Sequence, residues 1–106
     1  MAELVYKIFT PDEWAAFEAA GRFDGSSADR RDGFIHFSKA DQVAGTLGRY
    51  YAQEDRVAIA AFPADRLGDA LRWEPSRDDQ LFPHLYAPLF MAQLESVEWA
   101  EPNEAR

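Results

Sequence analysis

Short runs of apolar residues divide the chain into predicted strands. Residues 4–9, 34–38 and 56–62 are each dominated by apolar residue types that favour extended structure. Further strands are expected over 71–74 and 96–100. Residues 81–86 are also predicted to be extended, because Pro83 disfavours helix for the residue before it.

Two longer helices are predicted from spacing and end signals. Thr10 can cap the first, Pro11 suits its first position, Glu13 completes a capping box, and Gly21 ends it. The second is predicted over about 39–53, and a shorter helical turn over 64–70. The apolar face of the second helix is expected to hold Val43, Leu47, Tyr50 and Tyr51.

The polar, glycine-containing stretch 21–33 is predicted to be a loop. Loops of this length inside a compact domain are often functional, and this one carries Arg22, Arg30 and Arg31. Strands and helices are mixed along the chain without strict alternation. This pattern favours an α+β domain over a parallel doubly wound sheet.

Composition narrows the class of protein. The 106 residues, 47% hydrophobic and 14% aromatic, suit one domain, assigned to 1–101 with a flexible tail over 102–106. The absence of cysteine excludes disulfides, thiolate metal sites and a cysteine nucleophile. A net charge of −8 disfavours nucleic acid as a partner. With no secretory pattern and no apolar run near the ~20 residues of a membrane span, a soluble cytoplasmic protein is expected.

The predicted strand 34–38 has one apolar and one polar face. Side chains alternate on a strand, so Phe34, His36 and Ser38 share a face that offers stacking and hydrogen bonding to a ligand. Two structural alternatives stand beside this interpretation. Ser38 can instead cap the following helix, with Asp41 three residues on, and His36 can be a hydrogen-bonded structural histidine.

A second group of candidate residues surrounds the other histidine. Phe82, His84 and Tyr86 are predicted to share one face, and Glu74 can act with His84 as an acid–base pair if the two converge. Here too, a solvated Glu74 and a structural Tyr86 are the alternatives. The two histidines lie far apart in sequence with no metal-ligand spacing around them, so no metal is expected.

These motifs resemble a known family. The segments Gly33-Phe34-Ile35-His36-Phe37-Ser38, Trp73-Glu74 and Phe82-Pro83-His84-Leu85-Tyr86, with Gln42 and Thr46 between them, resemble the bacterial domain-of-unknown-function family 952 over nearly the whole chain. Members of that family are similar in fold to ADP-ribosyltransferases. The resemblance therefore implies a split, bent, mixed β-sheet with two main helices.

The resemblance also implies site residues and a ligand. It places His36 and Glu74 as catalytic residues in the transfer or hydrolysis of an ADP-ribosyl group. It implies that NAD or another nucleotide is held by Phe34, Ser38, Gln42, Thr46, His84 and Tyr86. Segment 33–38 is also similar to the R-x-H-V-H-L-S segment of RNA 2′-phosphotransferases. This chain departs from the family at Ala87, where glycine is usual, and from those enzymes at Lys7, where they carry histidine.

Three functions follow from these observations. The first is an ADP-ribosyl transferase or hydrolase, with Arg30 or Arg31 meeting the pyrophosphate as bidentate donors. The second is a non-catalytic small-molecule or nucleotide sensor that uses the same pocket. The third is a partner-binding module that exposes aromatic residues such as Phe90 or Trp99.

Overall fold

Eight β-strands and four α-helices follow one another in residues 3–102, the part of the chain that the computed structural model describes. The helices are α1 (Pro11–Ala20), α2 (Ser27–Asp32), α3 (Val43–Tyr50) and α4 (Ala64–Leu67). The strands are β1 (Leu4–Phe9), β2 (Arg22–Phe23), β3 (Ile35–His36), β4 (Val57–Pro63), β5 (Leu71–Pro75), β6 (Leu81–Leu85), β7 (Leu89–Phe90) and β8 (Ser96–Ala100).

The strands form three small sheets, in the orders β1-β4-β8, β2-β7 and β3-β6-β5. Every strand pair in residues 3–102 is antiparallel, so the α+β class is confirmed and the prediction of a mixed sheet is wrong. A single bridge joins the first sheet to the third, where the backbones of Tyr6 and Ser38 exchange two hydrogen bonds of 2.8 Å. Because β3 is so short, this bridge fixes the end of the third sheet against β1.

Aromatic side chains form the centre of the core. Phe9 of β1 contacts the rings of Trp14, Phe17 and Phe23 at centroid distances of 5.3, 5.3 and 5.0 Å. All four are buried, and each fully buried aromatic ring stabilises the fold by roughly 1.5–3 kcal/mol. The cluster ties β1, α1 and β2 together beneath the first sheet.

The first helix begins and ends where the sequence predicts. The Thr10 hydroxyl accepts from the Glu13 backbone, the Glu13 carboxylate accepts from the Thr10 backbone, and Gly21 ends the helix in the left-handed region at φ 73°. The predicted strands 4–9, 56–62, 71–74, 81–86 and 96–100 and the helical turn 64–70 are also present, with ends shifted by a residue or two.

The stretch 21–33 is not a loop. It contains β2 and the helix α2, which begins at the cap Ser26 and ends at Gly33 with φ 89°. The Ser26 hydroxyl accepts from the Asp29 backbone, and Asp29 accepts in return from the Ser26 backbone. This capping box, with serine and aspartate three residues apart, is a signal that an interpretation based only on polarity misses.

The second predicted helix is shorter than expected. Residues 40–42 form a 3-10 turn, and α3 then ends at Tyr50, which is 66% exposed and does not lie on a buried face. Ser38 does not cap this segment, because the N-cap position is Lys39 and the Ser38 hydroxyl meets the Thr46 hydroxyl instead. Of the predicted tail, Pro102 is buried and residues 103–106 lie outside the described residues. Within residues 3–102, no helix combines the length and apolar character needed to cross a membrane.

Candidate functional site

The two histidines, distant in sequence, lie side by side in the third sheet. His36 of β3 pairs with His84 of β6 in the antiparallel register, and their ring centroids are 5.8 Å apart. Both rings lie on the same face of the sheet, because directly paired residues point to the same side. The other face carries Ile35 and Leu85, which are buried in the core. The alternation predicted for these strands therefore separates a core face from a polar face.

A cleft of about 410 Å³ lies between this polar face and the helices α2 and α3. Of the predicted site residues, His36, Ser38, Thr46 and His84 line it. Residues not assigned to a site from the sequence also contribute, among them Lys7, Asp29, Tyr50, Tyr51 and Arg77. Its volume falls within the range of roughly 300–1,000 Å³ that is typical of small-molecule pockets.

His84 has one ring nitrogen held and one ring nitrogen available. Its Nδ1 lies 2.8 Å from Oε1 of Glu74, which does not line the cleft. No hydrogen bond to Nε2 is formed within residues 3–102. An ionised carboxylate only accepts, so Nδ1 carries the proton and Nε2 keeps a free lone pair. His84 lines the cleft, whereas Glu74, on the Nδ1 side of its ring, does not.

Glu74 also accepts a hydrogen bond of 2.7 Å from the Tyr86 hydroxyl, on the same Oε1 atom that meets His84. The hydrogen bond from Tyr86, with the one from His84, lowers the pKa of Glu74 below its usual value. The same Tyr86 bond raises the pKa of the tyrosine. Glu74 is therefore held as a carboxylate that orients His84, with Tyr86 behind it.

His36 is bound on both sides of its ring. Nδ1 lies 2.6 Å from Oδ1 of Asp29, and Nε2 lies 2.9 Å from Oδ2 of Asp32. A neutral imidazole has one N–H, whereas two carboxylates require two donors, so this arrangement suits the imidazolium. His36 is thus held between two carboxylates and has no ring nitrogen left for a ligand.

Asp29 organises this side of the cleft from a side chain that is 2% exposed. It accepts from the Lys7 ammonium at 3.0 Å, from His36, and from the backbone N–H groups of Ser26 and His36. Burial by itself raises the pKa of Asp29. The hydrogen bond from His36, the charge of Lys7 and the two backbone N–H groups outweigh it and hold that pKa far below its usual range.

Three of the predicted ligand-binding residues have protein partners that explain them. Ser38 and Thr46 lie 3.2 Å apart, hydroxyl to hydroxyl, and Thr46 donates to the Gln42 carbonyl. Gln42 is buried and does not line the cleft, and its side chain donates to the Leu81 carbonyl at 2.9 Å while accepting from the Lys39 backbone. Gln42 therefore connects α3 to β6, and the two hydroxyls remain at the cleft wall.

Phe34 and Tyr86 lie beside the cleft, not in it. The Phe34 ring stacks on His84 with centroids 3.9 Å apart, and Tyr86 lies 5.3 Å from Phe34. Both line a second depression, of about 210 Å³, on the far side of the Phe34 ring. Phe34 thus covers one face of the catalytic candidate His84 and restricts how its ring can turn.

Of the two arginines predicted to meet a pyrophosphate, Arg31 lines the cleft and Arg30 does not. The Arg31 side chain lies 3.2 Å from Asp32, which holds His36. Tyr51 closes the inner wall, and burial, with the charges of Glu13, Asp29 and Glu54, raises its pKa, so its hydroxyl stays neutral. Within residues 3–102, histidines and carboxylates form no cluster of three that is arranged to hold a metal ion.

The sequence interpretation did not assign Lys7, Asp29 or Arg77 to the site. Lys7 was visible as a lone charge inside the apolar strand 4–9, a position that requires a buried partner. Asp29 could have been found from the serine three residues before it. Arg77 carries no local signal, since it lies in a charged turn.

The matching family model covers residues 8–97 and is described as protein of unknown function (DUF952). The crystal structure of protein CC0527 from Caulobacter crescentus is 40% identical and superposes with a TM-score of 0.84, over 92% of this chain and 84% of that one. The solution NMR structure of the same protein, also 40% identical, gives 0.76 over 92% and 83%.

No curated protein matches the chain. The predicted family is confirmed by the family model, whereas the likeness in fold to ADP-ribosyltransferases stays a prediction. Since the match extends over most of the sequence and includes both histidine strands, this chain belongs to the DUF952 family.

Proposed function

We propose that this protein binds a nucleotide of the NAD class in the cleft, and that His84 is the group that moves a proton there. The observation that carries the proposal is the meeting of His36 and His84 at one cleft, with opposite hydrogen-bonding states. One imidazole is fixed by two carboxylates, and the other keeps a ring nitrogen free of protein partners within residues 3–102. A histidine of the second kind, with its other nitrogen on a carboxylate, is suited to take up a proton from a ligand.

The wall of the cleft suits a nucleotide. Aromatic side chains for stacking come from Tyr50, Tyr51 and Phe82, and hydroxyls for a ribose come from Ser38 and Thr46. In a protein of net charge −8, the lining holds three Lys or Arg cations and three carboxylates, so the cleft lacks the negative excess of the chain as a whole. Its volume fits one nucleotide half of a dinucleotide.

The reaction that this arrangement can support is transfer of an ADP-ribosyl group to a hydroxyl or to water. The bond between the ribose C1′ and the nicotinamide nitrogen breaks, and its electron pair leaves with nicotinamide. The acceptor oxygen bonds to C1′ and gives its proton to Nε2 of His84. Glu74 stabilises the imidazolium that forms, because its carboxylate already meets Nδ1.

In this proposal Glu74 is a positioning residue and does not contact the sugar. It lies behind His84 and outside the cleft lining, so it acts on the ligand only through His84. His36, with both nitrogens bound to carboxylates, does not exchange a proton with the ligand and keeps α2 in place against β3.

A non-catalytic sensor is the second candidate, and a specific observation favours it. The three carboxylates that line the cleft already accept hydrogen bonds, Glu13 from Thr10, Asp32 from His36, and Asp29 from several donors. The two aspartates are paired with His36, and Glu13 is held at the start of α1 by the Thr10 backbone, so none of the three is an unengaged carboxylate of the kind that stabilises positive charge on a ribose. The two candidates share the same ligand and differ only in turnover.

Binding is tested by thermal unfolding and tryptophan fluorescence in millimolar NAD, ADP-ribose and nicotinamide mononucleotide. A ligand at 100 times its Kd stabilises the folded state by ~2.7 kcal/mol, a rise in Tm of several degrees. We expect that rise in the natural chain, in His84→Gln, which removes only the proton acceptor, and in Glu95→Gln, an exposed control on the Arg66 pair. We expect a smaller rise in Tyr50→Ala, which removes an exposed aromatic ring from the cleft wall. If no nucleotide changes either signal in the natural chain, the proposal is wrong.

Turnover separates the two candidates. Release of nicotinamide from NAD by the natural chain, lost in His84→Gln and strongly reduced in Glu74→Gln, supports the transferase or hydrolase. Binding without nicotinamide release supports the sensor.

A further inference from the structure

Resting on the proposed function, we propose that Arg77 forms a phosphate subsite of the cleft, together with the hydroxyls of Ser38 and Thr46. Arg77 lines the cleft and is half-buried. No carboxylate within residues 3–102 forms an ion pair with it. Three other basic side chains of the cleft, Lys7, Arg31 and His36, are each paired with an aspartate. Arg77 is therefore the cleft cation whose charge is left for a ligand.

The guanidinium of Arg77 is held in place by neutral groups. Its Nη2 donates to the Thr46 hydroxyl at 3.4 Å, and its central carbon, Cζ, lies 5.0 Å from the centroid of the Phe82 ring. Thr46 in turn meets Ser38 at 3.2 Å. These contacts orient the Arg77 guanidinium without neutralising its charge. Its remaining N–H groups can donate to two oxygens of one phosphoryl group.

Helix α3 leaves room for the guanidinium at Gly45. A Cβ atom at that position would lie 3.2 Å from Nη2 of Arg77, closer than most such contacts. The helix conformation itself does not require glycine there. Gly45 thus provides the space in which the guanidinium lies against α3.

The turn that carries Arg77 has an unusual backbone. Asp78 and Asp79 both adopt the left-handed region, with φ 59° and 60°, which non-glycine residues rarely occupy twice in succession. The turn is closed by hydrogen bonds from the Asp79 and Gln80 backbones to the carbonyls of Ser76 and Arg77. This closed turn joins β5 to β6, and within it Arg77 lies against the Phe82 ring of β6.

The test uses pyrophosphate and inorganic phosphate as probes, followed by the NMR shifts of arginine side chains and backbone amides. We expect saturable shifts at Arg77 and Thr46 in the natural chain, and a roughly ten- to hundredfold weaker affinity for pyrophosphate in Arg77→Gln. The matched control is Arg30→Gln, which removes the same charge from α2 outside the cleft and should leave the affinity unchanged. Acetate, a carboxylate at the same concentrations, should bind more weakly than phosphate.

A second variant guards against unfolding. Gly45→Ala keeps every charge, and alanine favours helix over glycine, so its Tm should not fall. We expect it to weaken pyrophosphate binding several-fold by displacing the guanidinium. Equal pyrophosphate affinity in the natural chain and a folded Arg77→Gln overturns the subsite, as does the absence of any binding.

These outcomes are separable from those of the proposed function. Pyrophosphate binding that depends on Arg77, with no response to NAD, supports the subsite and rejects the nucleotide. A response to NAD that is the same in the natural chain and in Arg77→Gln supports the nucleotide and rejects the subsite.

Discussion

The two histidines of this protein lie in paired strands and yet have opposite surroundings. His36 faces Asp29 and Asp32 and has both ring nitrogens bound, whereas His84 meets only Glu74 and keeps Nε2 free. The difference comes from α2, which brings two aspartates to one ring, and from β5, which brings one glutamate to the other. Residue type alone therefore does not decide which imidazole is available for chemistry. The number of carboxylates around each ring decides it.

The largest effect is expected from removing the carboxylate on the His36 side. Asp29→Ala leaves the buried ammonium of Lys7 without a counter-ion, and we expect the free energy of unfolding in urea to fall by about 3–5 kcal/mol. The matched control is Asp24→Asn, which breaks the exposed pair with Arg22 and should change stability by less than about 1 kcal/mol. Equal effects of the two substitutions would show that the Lys7–Asp29 pair is not buried.

The same carboxylate should make stability depend on acid. The pKa of Asp29 is lower in the folded chain than its unfolded value of about 3.9. Below a pH of about 3.9 the unfolded chain therefore takes up a proton at Asp29 while the folded chain keeps the carboxylate. The stabilisation that Asp29 gives the folded state is complete above this pH and is lost as the pH falls below it. Urea unfolding at a series of pH values should show this loss, with a shallower slope in Asp29→Asn. Parallel curves for the two chains would contradict it.

For His84, the prediction concerns which ring nitrogen carries the proton, and it does not involve the stability of the fold. Neutral His84 should carry its proton on Nδ1, because that nitrogen meets the Glu74 carboxylate. Long-range ¹H–¹⁵N NMR spectra distinguish the two nitrogens, and His36 in the same spectrum should show protons on both. A proton on Nε2 of His84 would remove the lone pair on which the proposed chemistry depends.

The smallest effect concerns the outermost member of the chain of hydrogen bonds. Tyr86→Phe removes the hydrogen bond that contributes most to lowering the pKa of Glu74, so this pKa should rise toward its usual value. A ¹³C NMR titration of the glutamate carboxyl groups measures it, and the Glu95 resonance serves as the internal control. An unchanged Glu74 titration would show that the Tyr86 bond is not formed in solution.

The local signals of the sequence were sufficient where one segment contains all the information. The helix α1 shows this, because Thr10, Glu13 and Gly21 settle its two ends within twelve residues. The alternation in 34–38 likewise placed His36 on the face opposite the buried Ile35. The family resemblance implied one set of site residues drawn from both histidine strands, and the structure brings these two strands together at one cleft.

Local signals failed where a residue acquires its role from a distant partner. Gln42 was expected to bind a ligand, but its side-chain amide donates to the Leu81 carbonyl of β6 instead. Stretch 21–33 was predicted to be a loop because its residues are polar, and yet its helix has Asp29 buried against Lys7. A polar residue is stable in the interior only when a partner is present, and that partner cannot be identified from the polar residue alone.

By itself, the sequence determined the α+β class, the positions of the main strands, the first helix and the polar face that holds both histidines. Only the tertiary structure decided which histidine is bound on both nitrogens, which carboxylate orients the other, and that Arg77 reaches the cleft without a counter-ion. The reason is physical: backbone preferences act over a few neighbouring residues, whereas charge pairing and hydrogen bonding act between groups that folding brings together from separate parts of the chain.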